Sequence, residues 1–177
     1  MSSSSTDPGF GVFHSGELAA HERYGVGHLT KGLALSVRKE LTPALIAFLQ
    51  RQAFFFLATA SDAGDCDCSY RGRQHNRPHD PEPLLIALDE RTLIFPDYAG
   101  NNFFNSIGNI LANPKVGLLF LDFESATRVR INGNVAILEE VGAYHKHWPT
   151  ATRLIQVDVV QIYPNCRARI PRLVPAY

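Results

Sequence analysis

The chain has 177 residues, and its 17 Lys and Arg residues are balanced by 17 Asp and Glu residues. A chain of this length favours one compact domain over two. With 45% apolar and 19% charged residues it can bury a core, which excludes the class of disordered chains. The formal net charge of zero excludes binding by broad neutralisation of a nucleic acid or an anionic membrane. Any anion must therefore be bound by local groups.

The three cysteines, Cys66, Cys68 and Cys166, are too few and too oddly numbered for a disulfide scaffold. The N-terminus has no apolar signal segment, and no apolar run approaches the ~20 residues that span a bilayer. We therefore expect a cytoplasmic protein. We expect residues 1–13 to form a flexible N-terminal arm and residues 14–177 to form a single domain that begins with helices.

Two helices are predicted before any strand. Ser15 can cap a helix whose first turn is acidic and which stops at Gly25. Thr42 can cap a second helix, with Pro43 at its first position and an end near Gln52.

From residue 54 onward, short apolar runs separated by turn residues predict an antiparallel sheet. The predicted strands lie at 54–60, 65–71, 84–88, 92–96, 116–122, 128–138 and 154–162. A helix after Tyr98 is expected to pack on the sheet through Phe103, Phe104, Ile107, Ile110 and Leu111, and a short helix is expected at 141–147. Closing these strands into a barrel would leave no unpaired edge.

Cys66 and Cys68 lie two positions apart and therefore on one face of a predicted strand. A structural metal site usually needs four ligands, for which only His75 and His79 of the next loop are near in sequence. The favoured interpretation is that both thiols are small apolar groups facing the core, without a metal.

Arg71 is the first candidate for ligand binding because it ends a strand beside Ser69 and Tyr70. A rigid strand can aim a guanidinium at a bound phosphate or ring. The polar loop that follows, 73–80, is equally well explained as a solvated loop.

The segment 96–102 is the second candidate, because a strand ends there in a turn of small residues and a helix follows. A helix N-terminus offers free N–H groups to an anion, although Asn101 and Asn102 could serve only as caps. A third candidate is the pair Arg128 and Arg130, which share one face of a strand and could also be plain surface charges.

Three segments carry a family resemblance. They are FLATASDAGDCDCSYRG, LDERTLIFPDYAGNNFFNSIGNILANPKVGLLFLDF and RVRINGNVAIL. In this order they resemble the pyridoxamine 5'-phosphate oxidase-like, FMN-binding split-barrel proteins over residues 45–172. The resemblance implies a mainly β fold with flanking helices, built on a six-stranded antiparallel split β-barrel. It also implies a homodimer with FMN bound at the subunit interface.

The resemblance also implies which residues contact the cofactor. They are Ser69, Tyr70 and Arg71 along the flavin and its tail, Pro96, Asp97 and Tyr98 at a strand end, Gly100, Asn101 and Asn102 at the phosphate turn, and Arg128 and Arg130 on the following long strand.

The chain also departs from the vitamin-forming oxidases. Asn101 and Asn102 stand where those enzymes carry an Arg-Lys pair, the lysine that ends their substrate strand is replaced, and their C-terminal Arg-x-His motif has no counterpart in Arg167 and Arg169. We therefore expect an FMN-dependent oxidoreductase that acts on an unknown small molecule other than pyridoxamine phosphate. The pocket could instead take a deazaflavin or another flavin.

Two other classes of protein stay open. One is a non-catalytic flavin or haem protein, in which His145 or His147 would be the haem ligand. The other is a structural dimer with an empty cleft. Tyr70, His75, His79 and Tyr144 are chemically able to donate protons, but the sequence assigns none of them a catalytic role.

Overall fold

The structure is a computed structural model that describes residues 12–74, 82–164 and 168–173. The chain divides into two compact units, residues 1–38 and residues 39–177. The arm predicted at 1–13 lies almost wholly outside the described residues, and the single domain at 14–177 stays a prediction.

The first unit contains helices α1 (Ser15–Arg23) and α2 (Thr30–Leu35), with a 3₁₀ turn at Gly27–Leu29 between them. Helix α1 is confirmed, but its cap is His14 rather than Ser15. The His14 ring accepts the N–H groups of Gly16 and Glu17, and the Glu17 carboxylate accepts the N–H of His14. The segment from Gly27 to Leu35 was not predicted as helical.

The second unit contains helices α3 (Pro43–Arg51) and α4 (Asn105–Ala112). The prediction for α3 is confirmed, since the Thr42 hydroxyl accepts the N–H of Leu45 at 3.3 Å and Pro43 occupies the first turn. Helix α4 begins later than predicted. Ile107 and Ile110 are buried as expected, whereas Phe103, Phe104 and Leu111 are exposed, and the prediction that these three pack on the sheet is wrong.

Seven antiparallel strands form one sheet in the order β2-β1-β5-β6-β7-β4-β3. The strands are β1 (Phe54–Ala60), β2 (Cys66–Gly72), β3 (Ile86–Ala87), β4 (Thr92–Tyr98), β5 (Lys115–Asp122), β6 (Thr127–Leu138) and β7 (Ala151–Pro164). The expected count of six strands is therefore wrong. Among the described residues no ladder joins the two edge strands, β2 and β3, so the closed barrel is not confirmed.

The sheet is strongly curled. Strands β1 and β4 are four strand spacings apart in the order, which would place them about 19 Å apart in a flat sheet. The ring centroids of Phe55 in β1 and Phe95 in β4 are nevertheless only 5.1 Å apart. The curl therefore brings distant strands face to face across one core.

The core lies on the inner face of this curled sheet. It contains alternate residues of the strands, such as Leu57, Leu118 and Ile131, together with Phe48 and Leu49 of α3. A second, smaller cluster lies on the outer face of β4 and β7. It contains Ile94, Leu154 and Trp148, beside the 3₁₀ turn Gly142–Lys146.

The outer face of β2 carries the two cysteines. Both Cys66 and Cys68 are exposed, so the prediction that they face the core is wrong. The reason is the register of β2, in which Asp67, Ser69 and Arg71 occupy the inner face instead. Cys166 lies outside the described residues.

An aromatic group covers the outer face of β1 and β2 beside the cysteines. Phe54 stacks on Tyr70 with ring centroids 5.1 Å apart, and Phe56 and Phe123 flank them. The Tyr70 side chain is exposed.

Within the described ranges, no helix combines the length and the apolar character that crossing a membrane requires.

Candidate functional site

The inner face of β2 is polar although its neighbour β1 is apolar. Arg71 pairs with Phe55 and Ser69 pairs with Leu57 across the ladder, which places each pair on the same face of the sheet. Asp67 follows on that face. The polar side chains of β2 therefore point toward the interior of the curl.

A cavity of about 380 Å³ opens beside these side chains. Its walls are the inner face of β2, the chain from Asp97 through the start of α4, and the first residues of β7. A volume of this size is within the range of small-molecule sites. We call this space the main cavity.

Asp97 lies at the centre of the charged wall and is only 6% exposed. Its Oδ1 accepts Arg71 Nη1 at 2.6 Å, and its Oδ2 lies 3.6 Å from Arg153 Nε. Arg71 Nε also donates to the Ser69 hydroxyl at 3.2 Å, and the Thr152 hydroxyl donates to the Asp97 carbonyl oxygen at 3.0 Å. One buried carboxylate thus fixes two guanidinium groups that come from different strands.

Ser106 connects α4 to β2. Its Oγ lies 3.0 Å from Asp67 Oδ2 and 3.0 Å from Ser69 Oγ. Because a hydroxyl has one proton and the charged acceptor is the stronger one, Ser106 donates to Asp67 and accepts from Ser69. This chain of hydrogen bonds holds the start of α4 against the inner face of β2.

The turn before α4 has an unusual backbone. Asn102 and Phe104 adopt the left-handed region, with φ of 64° and 54°. Asn101 Oδ1 accepts the N–H of Phe103 at 3.2 Å and so stabilises the turn, whereas Phe104 at the N-cap makes no capping hydrogen bond with its side chain. The first helical hydrogen bond of α4 runs from the Gly108 N–H to the Phe104 carbonyl oxygen. The N–H groups of residues 105–107 therefore have no partner in the helical pattern, and these residues line the main cavity.

Tyr98 closes one side of the main cavity. Its phenol donates to Glu82 Oε2 at 2.5 Å, and Glu82 is buried. Burial, the hydrogen bond and the negative charge of Glu82 all raise the pKa of Tyr98 far above its usual value. The phenol therefore stays protonated, and its proton is committed to Glu82.

A smaller cavity of about 180 Å³ lies between β2 and β4 and borders Tyr70 and Pro96. Arg71 and Tyr98 line both cavities and so stand between them. A Cβ at Gly72 would lie 2.6 Å from the Tyr70 ring, so a side chain there would have to displace that exposed ring.

The structure brings most of the residues with a predicted role to this region. Ser69, Arg71, Asp97, Tyr98, Gly100, Asn101 and Asn102 line the main cavity, and Tyr70 and Pro96 line the smaller one. Their part in binding stays a prediction. Arg128 and Arg130 line neither cavity, because they alternate with the core residues Val129 and Ile131 and therefore lie on the outer face of β6.

Several residues of the cavity were not found from the sequence. The pairing of β4 with β7 brings Arg153 and Thr152 to the cavity. The packing of α4 brings Ser106 there, and the register of β2 brings Asp67 there. Only Asp67 could have been found from the sequence, because it lies two and four positions before Ser69 and Arg71 and therefore shares their face of the strand.

None of the candidate histidines that the structure describes lines the main cavity. His75 and His79 lie outside the described residues. His145 is part of the 3₁₀ turn Gly142–Lys146 and His147 follows it, and neither lines either cavity. Within the described part of the chain, no cluster of three or more His, Cys, Asp or Glu side chains is arranged to hold a metal ion.

Solved structures with the same fold include three bacterial proteins with low sequence identity. HupZ of Group A Streptococcus is 20% identical, with a TM-score of 0.53 over 70% of this chain and 92% of that chain. A Lactobacillus delbrueckii protein assigned as a pyridoxamine 5'-phosphate oxidase is 18% identical, with a TM-score of 0.53 over 71% and 95%. The conserved protein Rv2991 of Mycobacterium tuberculosis is 13% identical, with a TM-score of 0.51 over 77% and 92%. These likenesses show the fold alone.

No curated protein matches the chain in sequence. The family model of pyridoxamine 5'-phosphate oxidase matches residues 41–166, which include all seven strands of the curled sheet. Every residue that lines the main cavity falls inside this match. The chain therefore belongs to the pyridoxamine 5'-phosphate oxidase family.

Proposed function

We propose that the chain binds FMN in the main cavity and acts as a flavin-dependent oxidoreductase on a small molecule other than pyridoxamine phosphate. The observation that carries this proposal is the meeting of Arg71 with the turn 99–104 and the uncapped start of α4 at one cavity. A phosphate group needs charged donors and backbone N–H groups, and this wall has both.

The residues present fit a phosphorylated flavin in three respects. Arg153 Nε is buried and makes no hydrogen bond, so one donor at the wall still needs an acceptor. The residues at the start of α4, whose N–H groups have no partner in the helical pattern, line the same space. Phe103 and Phe104 line the cavity with exposed rings, which offer an apolar surface to a flat ring system.

When bound, the flavin supplies the redox chemistry, and the chain binds and orients it. Arg71 and the start of α4 would hold the phosphate, and Asp97 keeps Arg71 in place through the 2.6 Å contact. Tyr98 is not available as a proton donor, because its proton is held by Glu82.

We further propose that the protein is a homodimer whose two copies share the cofactor cleft. Arg128 and Arg130 lie on the outer face, away from the cavity of their own chain, so they can reach a cofactor only in a second copy. Arg128 Nε is buried and has no hydrogen-bond partner. The exposed Tyr70 ring and its aromatic neighbours on the same outer face offer an apolar surface for the second copy. In such a pair, the gap between the edge strands β2 and β3 would correspond to the cleft of a split barrel.

The test is the visible spectrum of the purified protein, followed by titration of the flavin-free protein with FMN. We expect a yellow protein or one that FMN reconstitutes, with a mass in solution of twice 19.6 kDa. Arg71→Ala should weaken FMN binding about tenfold or more, since a charge-assisted hydrogen bond contributes about 1.5–3 kcal/mol. Arg91→Ala is the matched control, because Arg91 pairs with Glu40 on the exposed surface.

A colourless protein that FMN cannot reconstitute would refute the proposal, as would an Arg71→Ala variant with unchanged affinity. If FMN binds but neither NADH nor NADPH reduces it, the result favours a flavin carrier or sensor over an oxidoreductase.

A further inference from the structure

Arg153 reaches the main cavity through an irregularity at the start of β7. Asp97 pairs with Arg153 and Tyr98 pairs with Ala151, so Thr152 is an extra residue opposite β4. In a regular strand, consecutive side chains alternate between the two faces of the sheet. The bulge lets both Thr152 and Arg153 line the cavity.

The guanidinium of Arg153 is held in place but is incompletely satisfied. Its side chain is 22% exposed, and its Nε is buried without a hydrogen bond, although Asp97 Oδ2 lies 3.6 Å away. Its Cζ lies 5.6 Å from the ring centroid of Phe104, the residue that precedes α4. The guanidinium is therefore fixed beside the start of α4 with donor capacity left for a ligand.

The charge on this wall also needs explaining. Asn101 and Asn102 are neutral, so the turn itself brings no cation to a bound phosphate. Arg71 already forms an ion pair with Asp97, with 2.6 Å between Nη1 and Oδ1. A guanidinium already paired with a carboxylate is a weak partner for a dianion, whereas two guanidinium groups around Asp97 leave a net positive charge at that point of the wall. Asp67, the other carboxylate of the cavity lining, accepts a hydrogen bond from Ser106 instead.

We propose that Arg153 binds the phosphate of the ligand in the main cavity and supplies the positive charge that the Asn101-Asn102 turn lacks. This inference rests on the proposed function, in that the phosphate is that of FMN. Asp97 then acts as a positioning residue that orients Arg71 and Arg153 toward the same anion.

The experiment compares FMN with riboflavin, which lacks the phosphate, on the flavin-free full chain and its Arg153→Gln variant. We expect the variant to lose about tenfold or more of its affinity for FMN and to keep its affinity for riboflavin within about twofold. Inorganic phosphate should compete with FMN for the wild-type chain and compete less well for the variant. Arg91→Gln, which breaks an exposed ion pair, should match the wild type.

Equal losses for FMN and riboflavin, or no loss for FMN, would overturn the assignment of Arg153. If Arg153→Gln does not fold by circular dichroism, Arg153→Lys replaces it, and a loss confined to FMN is again expected because lysine cannot make the same forked contacts. If the wild-type chain binds neither flavin, the proposed function fails. Stabilisation of the wild-type chain by inorganic phosphate, lost in the variant, would then still support Arg153 as an anion-binding residue, and its absence would overturn that role too.

Discussion

Asp97→Asn is the substitution for which the structure gives the clearest energetic expectation. The Asp97 side chain is 9% exposed, and its partners Arg71 and Arg153 have side chains that are 19% and 22% exposed. Removing one member of a fully buried ion pair costs about 3–5 kcal/mol, because the charges that remain are left uncompensated. Since both guanidinium groups keep some solvent contact, we expect a loss of about 2–3 kcal/mol in the free energy of unfolding.

A loss of that size should lower the midpoint of thermal unfolding by about 4–12 °C for a chain of this length. Calorimetry and urea denaturation followed by circular dichroism would measure it. Glu40→Gln is the matched control: the Glu40–Arg91 contact is also 2.6 Å, but its side chains are 53% and 62% exposed. An exposed pair contributes about 0–1 kcal/mol, so this control should change little. Equal effects of the two substitutions would refute the argument that burial sets the energy of the Asp97 pairs.

Three further substitutions test contacts other than the ion pairs of Asp97. Tyr98→Phe removes the hydrogen bond to buried Glu82 and should cost about 1–3 kcal/mol near neutral pH. Because the folded state holds the pKa of Tyr98 far above its usual value, unfolding above about pH 10 releases a proton, and the free energy of unfolding of the wild type should fall by up to about 1.4 kcal/mol per pH unit. A difference between wild type and Tyr98→Phe that is constant with alkaline pH would contradict this. Gly133→Ala should destabilise by about 1–3 kcal/mol, because its Cβ would lie 2.6 Å from the Asp158 carbonyl oxygen. Gly108→Ala, at an open position of α4, should instead gain about 0.5–1 kcal/mol, and urea denaturation of the pair would check both signs.

Local signals in the sequence predicted most of the elements. Strand β1 has its predicted bounds, and α3 begins where Thr42 and Pro43 indicate. These successes depend on turn chemistry, capping and apolar spacing over a few neighbouring residues. The 3₁₀ turn and α2 were missed because Gly27 and Gly32 weaken the helical pattern there.

The site depends on contacts between strands that are far apart in the sequence, and such contacts could not be predicted from local sequence patterns. Arg153 meets Asp97 only because β7 pairs with β4, and Arg71 meets Asp97 only because the sheet curls. Neither relation leaves a local pattern. Strand ends marked Arg71 and the segment that contains Asp97, and the family resemblance supported both, but nothing in the residues around Arg153 marked it as a member of the same wall.

The orientation of β2 was predicted wrongly because the prediction relied on side-chain polarity alone. By polarity, Cys66 and Cys68 are better core residues than Asp67 and Ser69, so the usual rule turns the cysteines inward. The structure turns them outward because the inner face of β2 borders a cavity rather than packed apolar side chains. Conflict between local polarity and observed orientation is expected where a strand forms a binding site.

Trp148 gives the molecule a built-in optical probe. It is the single tryptophan of the chain, it is fully buried, and its indole N–H donates to the Pro83 carbonyl at 2.7 Å. It packs against Ile94 and Leu154, and Leu154 is the next residue along the chain from Arg153. Tryptophan fluorescence therefore originates from one position directly behind the charged wall. Quenching without a red shift would report a flavin arriving in front of that wall, whereas a red shift would report water reaching the indole as the sheet comes apart.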